Sequence, residues 1–86
     1  MNITKARVTK NIKEEPSNEH YDFWNIEATL LDKCPENATQ FLADSTEIKA
    51  LQVEAMRIDT TRTVVTIRTR RQSVLKPGDV IHLSTN

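Results

Sequence analysis

The side chains that could do chemistry in this chain are few and lie far apart in the sequence. The two histidines, His20 and His82, would need two further ligands at suitable spacing to hold a metal ion, and no such cluster surrounds them. The one cysteine, Cys34, has no histidine near it in the sequence, so a structural thiol is favoured over a nucleophile. Asp22 and Asp32 would form a carboxylate pair only if the fold brought them together. The sequence therefore predicts no enzyme, no cofactor and no metal site.

Length and composition exclude several classes of protein. A chain of 86 residues suffices for one small domain. Its 12 basic and 12 acidic residues balance, which argues against a general nucleic-acid binder and against an acidic DNA mimic. One cysteine allows no intramolecular disulfide, and one glycine allows no glycine-rich phosphate loop. No long apolar run and no secretion signal are present, so we expect a protein made in the cytoplasm without a membrane segment.

The elements that must position these residues are mostly strands. Residues 3–12 alternate imperfectly and predict an edge-like strand, with these residues on one side: Thr4, Ala6, Val8, Lys10 and Ile12. The polar residues 10–20 predict a mobile loop. Residues 21–31 give the clearest alternation, with Trp24, Ile26, Ala28 and Leu30 on one face. Residues 63–71 predict a strand with Val65 and Ile67 on one face and Arg68 and Arg70 on the other, and residues 80–83 predict a last strand.

One helix and two turns complete the predicted fold. Asp44 and Glu47 have capping-box spacing, which predicts a short helix over residues 46–53, followed by extended chain. Residues 60–62 predict a turn, and Pro77 followed by Gly78 predicts another. The expected fold is mainly β: a small antiparallel β-barrel or sandwich of four to five strands with one short helix, in a single domain over residues 1–86.

Charge is distributed unevenly along the chain. Residues 1–56 contain six basic and ten acidic residues, whereas residues 57–86 contain six basic and two acidic residues. The basic residues on and after the strand over residues 63–71 are candidate interface residues: Arg62, Arg68, Arg70, Arg71 and Lys76. An ordinary solvated strand face is one interpretation. An interaction surface for an acidic protein or for a nucleic-acid backbone is the other.

Two further observations bear on the kind of partner. Aromatic residues that could stack on bases, Tyr21, Phe23 and Trp24, cluster elsewhere in the sequence, which disfavours base recognition. A chain with an acidic and a basic part is also suited to head-to-tail association with copies of itself, which closes into a ring when the rotation permits.

Several segments follow one another in an order shared with a known family. They are Ala6-Arg7-Val8-Thr9, a polar loop, Asp22-Phe23-Trp24 leading into Ile26-Glu27-Ala28-Thr29-Leu30-Leu31, Ala50-Leu51-Gln52-Val53-Glu54-Ala55, Thr61-Arg62-Thr63-Val64-Val65-Thr66-Ile67-Arg68, and Leu75-Lys76-Pro77-Gly78-Asp79-Val80-Ile81. This order resembles the small head–tail joining proteins of tailed bacteriophages, which are also called adaptor, stopper or head-completion proteins. The last segment is also similar to the closing strand of β-domains in phage tail-hub proteins.

The resemblance implies a structural virion protein. It implies a β-barrel with a helix on its side, assembled as a hexameric or dodecameric ring in the neck, with portal and tail proteins as partners. Packaged DNA would pass through the lumen without sequence-specific contact. Arg68, at the match to the family's Thr-Ile-Arg strand, and Trp24, on its tryptophan strand, would serve subunit contacts. The alternatives are a small regulatory or inhibitory protein that binds one acidic host partner, a tail-hub or baseplate component, and a nucleic-acid-binding module.

Overall fold

The computed structural model describes residues 2–15, 22–32, 41–43 and 46–85. The fold is mainly β, as predicted, with one short helix. In the described part of the chain the elements are, in order, β1 (Asn2–Lys13), β2 (Trp24–Leu30), β3 (Phe41–Ala43), α1 (Thr46–Ala50), β4 (Val53–Ile58), β5 (Val64–Thr69) and β6 (Val80–Thr85). Strand β3 was not expected, and it raises the number of strands above the four or five predicted.

All strand pairs in the sheet are antiparallel, and the strand order is β3-β6-β1-β2-β5-β4. The sheet curls into a half-barrel, so that the edge strands β3 and β4 approach each other. Strand β1 lies at the centre, between β6 and β2, and the prediction of an edge-like strand is wrong. One buried and one solvated face give the same alternation in central and edge strands of an antiparallel sheet, so the pattern alone does not distinguish them.

The concave inner face of the sheet holds the core. Opposing residues on neighbouring strands share a face, and Val8, Ala28 and Val65 form one such row across β1, β2 and β5. The buried apolar residues of the core are Ala6, Val8, Ile26, Ala28, Ile48, Leu51, Val65, Ile67, Leu75, Ile81 and Leu83. Since successive side chains point to opposite faces, the residues between these lie on the convex outer face, which is exposed to solvent.

A β-bulge at Thr9 changes which residues of β1 face the core. Val8 pairs with Ala28 and Lys10 pairs with Glu27, so Thr9 has no partner of its own in the register. After the bulge Asn11 pairs with the buried Ile26, whereas the side chain of Ile12 is 58% exposed. The prediction that Lys10 and Ile12 continue the face of Val8 is therefore wrong. Residues 10–13 belong to β1, which also corrects the start of the predicted loop, and residues 16–21 lie outside the described residues.

The helix and the two turns lie where they were predicted, but the helix is shorter than expected. Helix α1 ends at Ala50, earlier than predicted, because Gln52 adopts a φ of +55°, which ends the helical conformation. The chain then extends into β4, as expected. In the second turn, Gly78 has a φ of +101° and Asp79 N donates to Lys76 O at 3.0 Å, confirming the prediction. Cys34 and the capping residue Asp44 lie outside the described residues.

Candidate functional site

The outer face of β6, β1 and β2 combines exposed apolar and basic side chains. Lys5 lies opposite His82, and Arg7 lies opposite Val80. Leu31 N donates to Lys5 O at 2.8 Å, which brings Leu31 alongside them. We call this surface the outer patch, and its residues are Ile3, Lys5, Arg7, Leu31, Val80 and His82. The side chain of Ile3 is 58% exposed, and those of Leu31 and Val80 are 44% exposed.

The cations of the outer patch are available to a partner. Lys5 and Arg7 are exposed, and among the described residues neither of them forms an ion pair. Asp32 contacts Lys5 through the backbone instead: the Lys5 nitrogen donates to Asp32 Oδ2 at 3.5 Å. An apolar surface with cations at its centre is suited to an acidic protein surface.

A second cluster on the outer face is built around Arg68. Its Nε and Nη2 each donate to Glu14 at 3.0 Å, to Oε2 and Oε1 respectively. Its guanidinium carbon lies 3.7 Å from the centroid of the Phe23 ring, which is buried beneath it. Asn25 Nδ2 also donates to Glu14 Oε2, at 3.2 Å. The bond from Arg68 is the main cause that lowers the pKa of Glu14 below its usual range, so the pair stays ionised and holds Arg68 in one orientation.

Next to Arg68 the outer face carries a groove of about 400 Å³. Ala55 lies opposite Arg68, and Thr66 lies opposite Arg57, on strands β4 and β5. Each arginine therefore has a small side chain opposite it, and the two arginines are diagonal neighbours. This arrangement leaves space between their guanidinium groups. The groove is defined by its lining residues, which are Glu14, Asn25, Ala55, Arg57, Thr66 and Arg68.

The loop of residues 70–79, between β5 and β6, is fastened to the sheet by Asn11. Its Nδ2 donates to Ser73 Oγ at 2.8 Å and to Leu75 O at 2.7 Å. Leu75 is buried, whereas Val74 between these two residues is 91% exposed. The loop therefore presents an apolar side chain from a fixed backbone.

The structure does not bring the six predicted interface residues onto one surface. Arg68 lies in the groove, and Arg70 forms an ion pair with Glu54. Arg62 is half-buried in the β4–β5 turn, at the opposite end of β5 from Arg70, while Arg71 and Lys76 are exposed in the loop of residues 70–79. Trp24 pairs with the buried Thr69 and is half-buried, so its register places it on the inner face.

The uneven charge along the sequence does not become two charged faces. Strands β5 and β6, from the basic part, are inserted between strands of the acidic part: β5 lies between β2 and β4, and β6 lies between β3 and β1. The pairs Arg68–Glu14 and Arg70–Glu54 each join a basic residue of the second part to an acidic residue of the first. Two of the predicted interface residues, Arg68 and Arg70, therefore form ion pairs within the chain.

Sequence reasoning missed the residues of the outer patch and of the groove other than Arg68. Arg57 alternates with Met56 and Ile58 at strand spacing, which is a usable signal once β4 is known to be a strand. Glu14 carries no such signal, because it is 54 positions away from Arg68 in the sequence.

Within residues 2–15, 22–32, 41–43 and 46–85, no three of the His, Cys, Asp and Glu side chains lie together so as to hold a metal ion. His82 is exposed in the outer patch, and His20 lies outside these ranges. None of the helical residues described forms a span long and apolar enough to cross a membrane. Comparisons with protein-family models, curated protein sequences and solved structures found no match to the chain.

Proposed function

We propose that this chain is a structural protein that binds other proteins through the outer face of its sheet, in a ring at the head–tail interface of a tailed phage. The observation that carries the docking role is the outer patch. Ile3, Leu31 and Val80 keep about half of their side-chain surface exposed on one face, beside Lys5 and Arg7. Covering such side chains with a partner is favourable, and aligned cations select an acidic partner surface.

The charge of the outer patch favours a heterologous contact. In a two-fold symmetric contact through this patch, Lys5 and Arg7 of one copy would face a surface that carries the same two cations, which is unfavourable. A contact between two different surfaces avoids this repulsion. Heterologous contacts between identical subunits produce closed rings when the rotation permits, which is the proposed architecture.

The order of segments along the chain supports the assignment to the phage neck. The segments that resemble head–tail joining proteins fall on β1, β2, the junction of α1 with β4, β5 and the turn into β6, and these strands all belong to one sheet. This is the mainly β architecture with a short helix that the resemblance implies.

Self-association is tested on the purified full-length chain by light scattering after size-exclusion chromatography and by native mass spectrometry, over a hundredfold range of concentration. We expect a concentration-dependent ring. Arg7→Glu, in the outer patch, should prevent assembly, because it reverses a charge within the proposed contact. Lys49→Glu changes the charge equally on the exposed side of α1 and should assemble normally. A chain that stays monomeric at every concentration, or that responds equally to both variants, contradicts assembly through the outer patch.

The location in the neck requires a separate measurement. Quantitative mass spectrometry of purified particles should find the chain in a fixed ratio to the portal protein. Its absence from particles, together with a stoichiometric complex with one host protein, would instead support the regulatory alternative.

A further inference from the structure

We propose that the groove beside Arg68 binds a single carboxylate, supplied by an aspartate or glutamate side chain of a protein partner. This inference rests on the proposed docking function and deepens it, because it names the chemistry that the outer face recognises. It adds Arg57 as a recognition residue, which the sequence did not single out.

The arrangement of strands β4 and β5 places two guanidinium groups around one space. Arg57 lies opposite Thr66, and Ala55 lies opposite Arg68. Directly opposed residues of an antiparallel pair are about 5 Å apart at Cβ, and diagonal neighbours are about 7–8 Å apart, which long side chains bridge. The small side chains of Ala55 and Thr66 form the floor, so an anion that enters can meet both arginines and the Thr66 hydroxyl.

Arg68 is held in its orientation before any ligand arrives. Glu14 accepts from its Nε and Nη2, and the Phe23 ring lies under its guanidinium plane. Its Nη1 makes no hydrogen bond with the described residues, which leaves a donor for a ligand. Because the side chain is already ordered, binding loses less rotamer entropy than it would at a free arginine. Arg57 is exposed and forms no ion pair with any described residue, so it supplies the second cation.

The charge of the lining residues indicates the charge of the anion. Arg57 and Arg68 contribute two positive charges, and the ionised Glu14 removes one of them, so the groove carries a net charge of one. At the border of this surface, Glu27 on β2 lies opposite Thr66 on one side and Lys10 on the other, so the formal charges of Glu27 and Lys10 cancel and the net charge of one is unchanged. A single carboxylate is matched by this charge, whereas the closely spaced phosphates of a nucleic acid would be repelled by Glu14.

The probe that tests the groove is an acetylated, amidated tetraglutamate peptide, compared with the corresponding tetraglutamine peptide. In NMR titrations of the full-length chain, the tetraglutamate peptide should shift the Nε–H signals of Arg57 and Arg68 saturably. The tetraglutamine peptide should leave these signals in place. Arg57→Gln should weaken binding about tenfold or more, because it removes a charge-assisted contact.

Two variants separate a defined groove from general charge attraction. Lys49→Gln removes the same charge from the exposed side of α1, outside both the groove and the outer patch, and it should weaken binding at most about twofold. Ala55→Leu keeps every charge, fills the floor, and should block binding while the amide spectrum stays that of a folded chain. Equal weakening by Arg57→Gln and Lys49→Gln, an unaffected Ala55→Leu, or tighter binding of duplex DNA than of tetraglutamate overturns the proposal. The titration does not depend on ring assembly, so its failure and the absence of the chain from particles are distinct results.

Discussion

The contact between Asn11 and the loop of residues 70–79 gives a prediction whose size can be worked out from the structure. Asn11→Ala removes the hydrogen bonds to Ser73 Oγ and Leu75 O, which are 2.8 and 2.7 Å long. A third contact, to Ser73 O at 3.5 Å, is too long to add much. Each of the two short bonds contributes about 1 kcal/mol net.

One opposing effect reduces this sum. The Oδ1 atom of Asn11 is buried and finds no hydrogen-bond partner among the described residues, and the substitution removes this unfavourable group. We therefore expect the free energy of unfolding to fall by about 1–2 kcal/mol. In a domain of this size the melting temperature should fall by roughly 5–15 °C.

Urea unfolding measures this change. The midpoint should move to lower urea at an unchanged m-value, since the surface exposed on unfolding stays the same. Amide hydrogen exchange should become faster at residues 73–76, where the fastening is lost, and should change less on the central strands β1 and β2.

Asn25→Ala is the matched control. Asn25 is also a half-buried asparagine of the sheet, but its Nδ2 donates to the partly exposed Glu14 carboxylate. We expect it to change the free energy of unfolding by no more than about 0.5 kcal/mol. Equal losses for the two variants, or no acceleration of exchange at residues 73–76, would refute the assigned role of Asn11.

Three further predictions concern single residues. The Thr61 hydroxyl, followed by the amides of Val64 and Thr63, lowers the pKa of Asp59 from 3.8 to about 2. Because the folded pKa is the lower one, this stabilisation is present above about pH 4 and is lost as the pH falls towards 2. The free energy of unfolding of Asp59→Asn, measured across this range, should therefore depend less on pH than that of the unsubstituted chain. Ile67→Ala, at a fully buried position of β5, should lower the free energy of unfolding by about 2–5 kcal/mol in urea titrations. Gly78→Ala should lower the melting temperature through backbone strain alone: φ is +101°, and an added Cβ would meet nothing within 4 Å.

Local patterns predicted much of the secondary structure correctly. The strict alternation around Ile26 identified β2, and the same period around Val65 and Ile67 identified β5 with the correct buried face. The turn at Gly78 was also predictable from residue types, because its conformation requires a positive φ. These features depend on neighbouring residues and on backbone sterics, which a single sequence contains.

Features that depend on distant partners could not be predicted from the sequence. The bulge at Thr9 reverses the faces of the second half of β1, and it is defined only by the register against β2. Three residues of β3 carry too short a pattern to recognise, and they form a strand by pairing with β6. The candidate site depends on the same kind of pairing, since Glu14 and Arg68 meet only when β5 lies beside β2.

By itself, the sequence determined the class of the fold, most of its strands, its turn chemistry and the scarcity of catalytic residue types, because these depend on composition and on short-range periodicity. The tertiary structure alone decided which charges are available to a partner. Antiparallel pairing places β5 between β2 and β4, and Arg68 and Arg70 are bound by Glu14 and Glu54. The same pairing leaves Lys5, Arg7 and Arg57 exposed on the outer face without an ion pair to the described residues. The physical reason is that charge interactions act over a few ångströms in space, a distance that strand order sets and sequence separation does not.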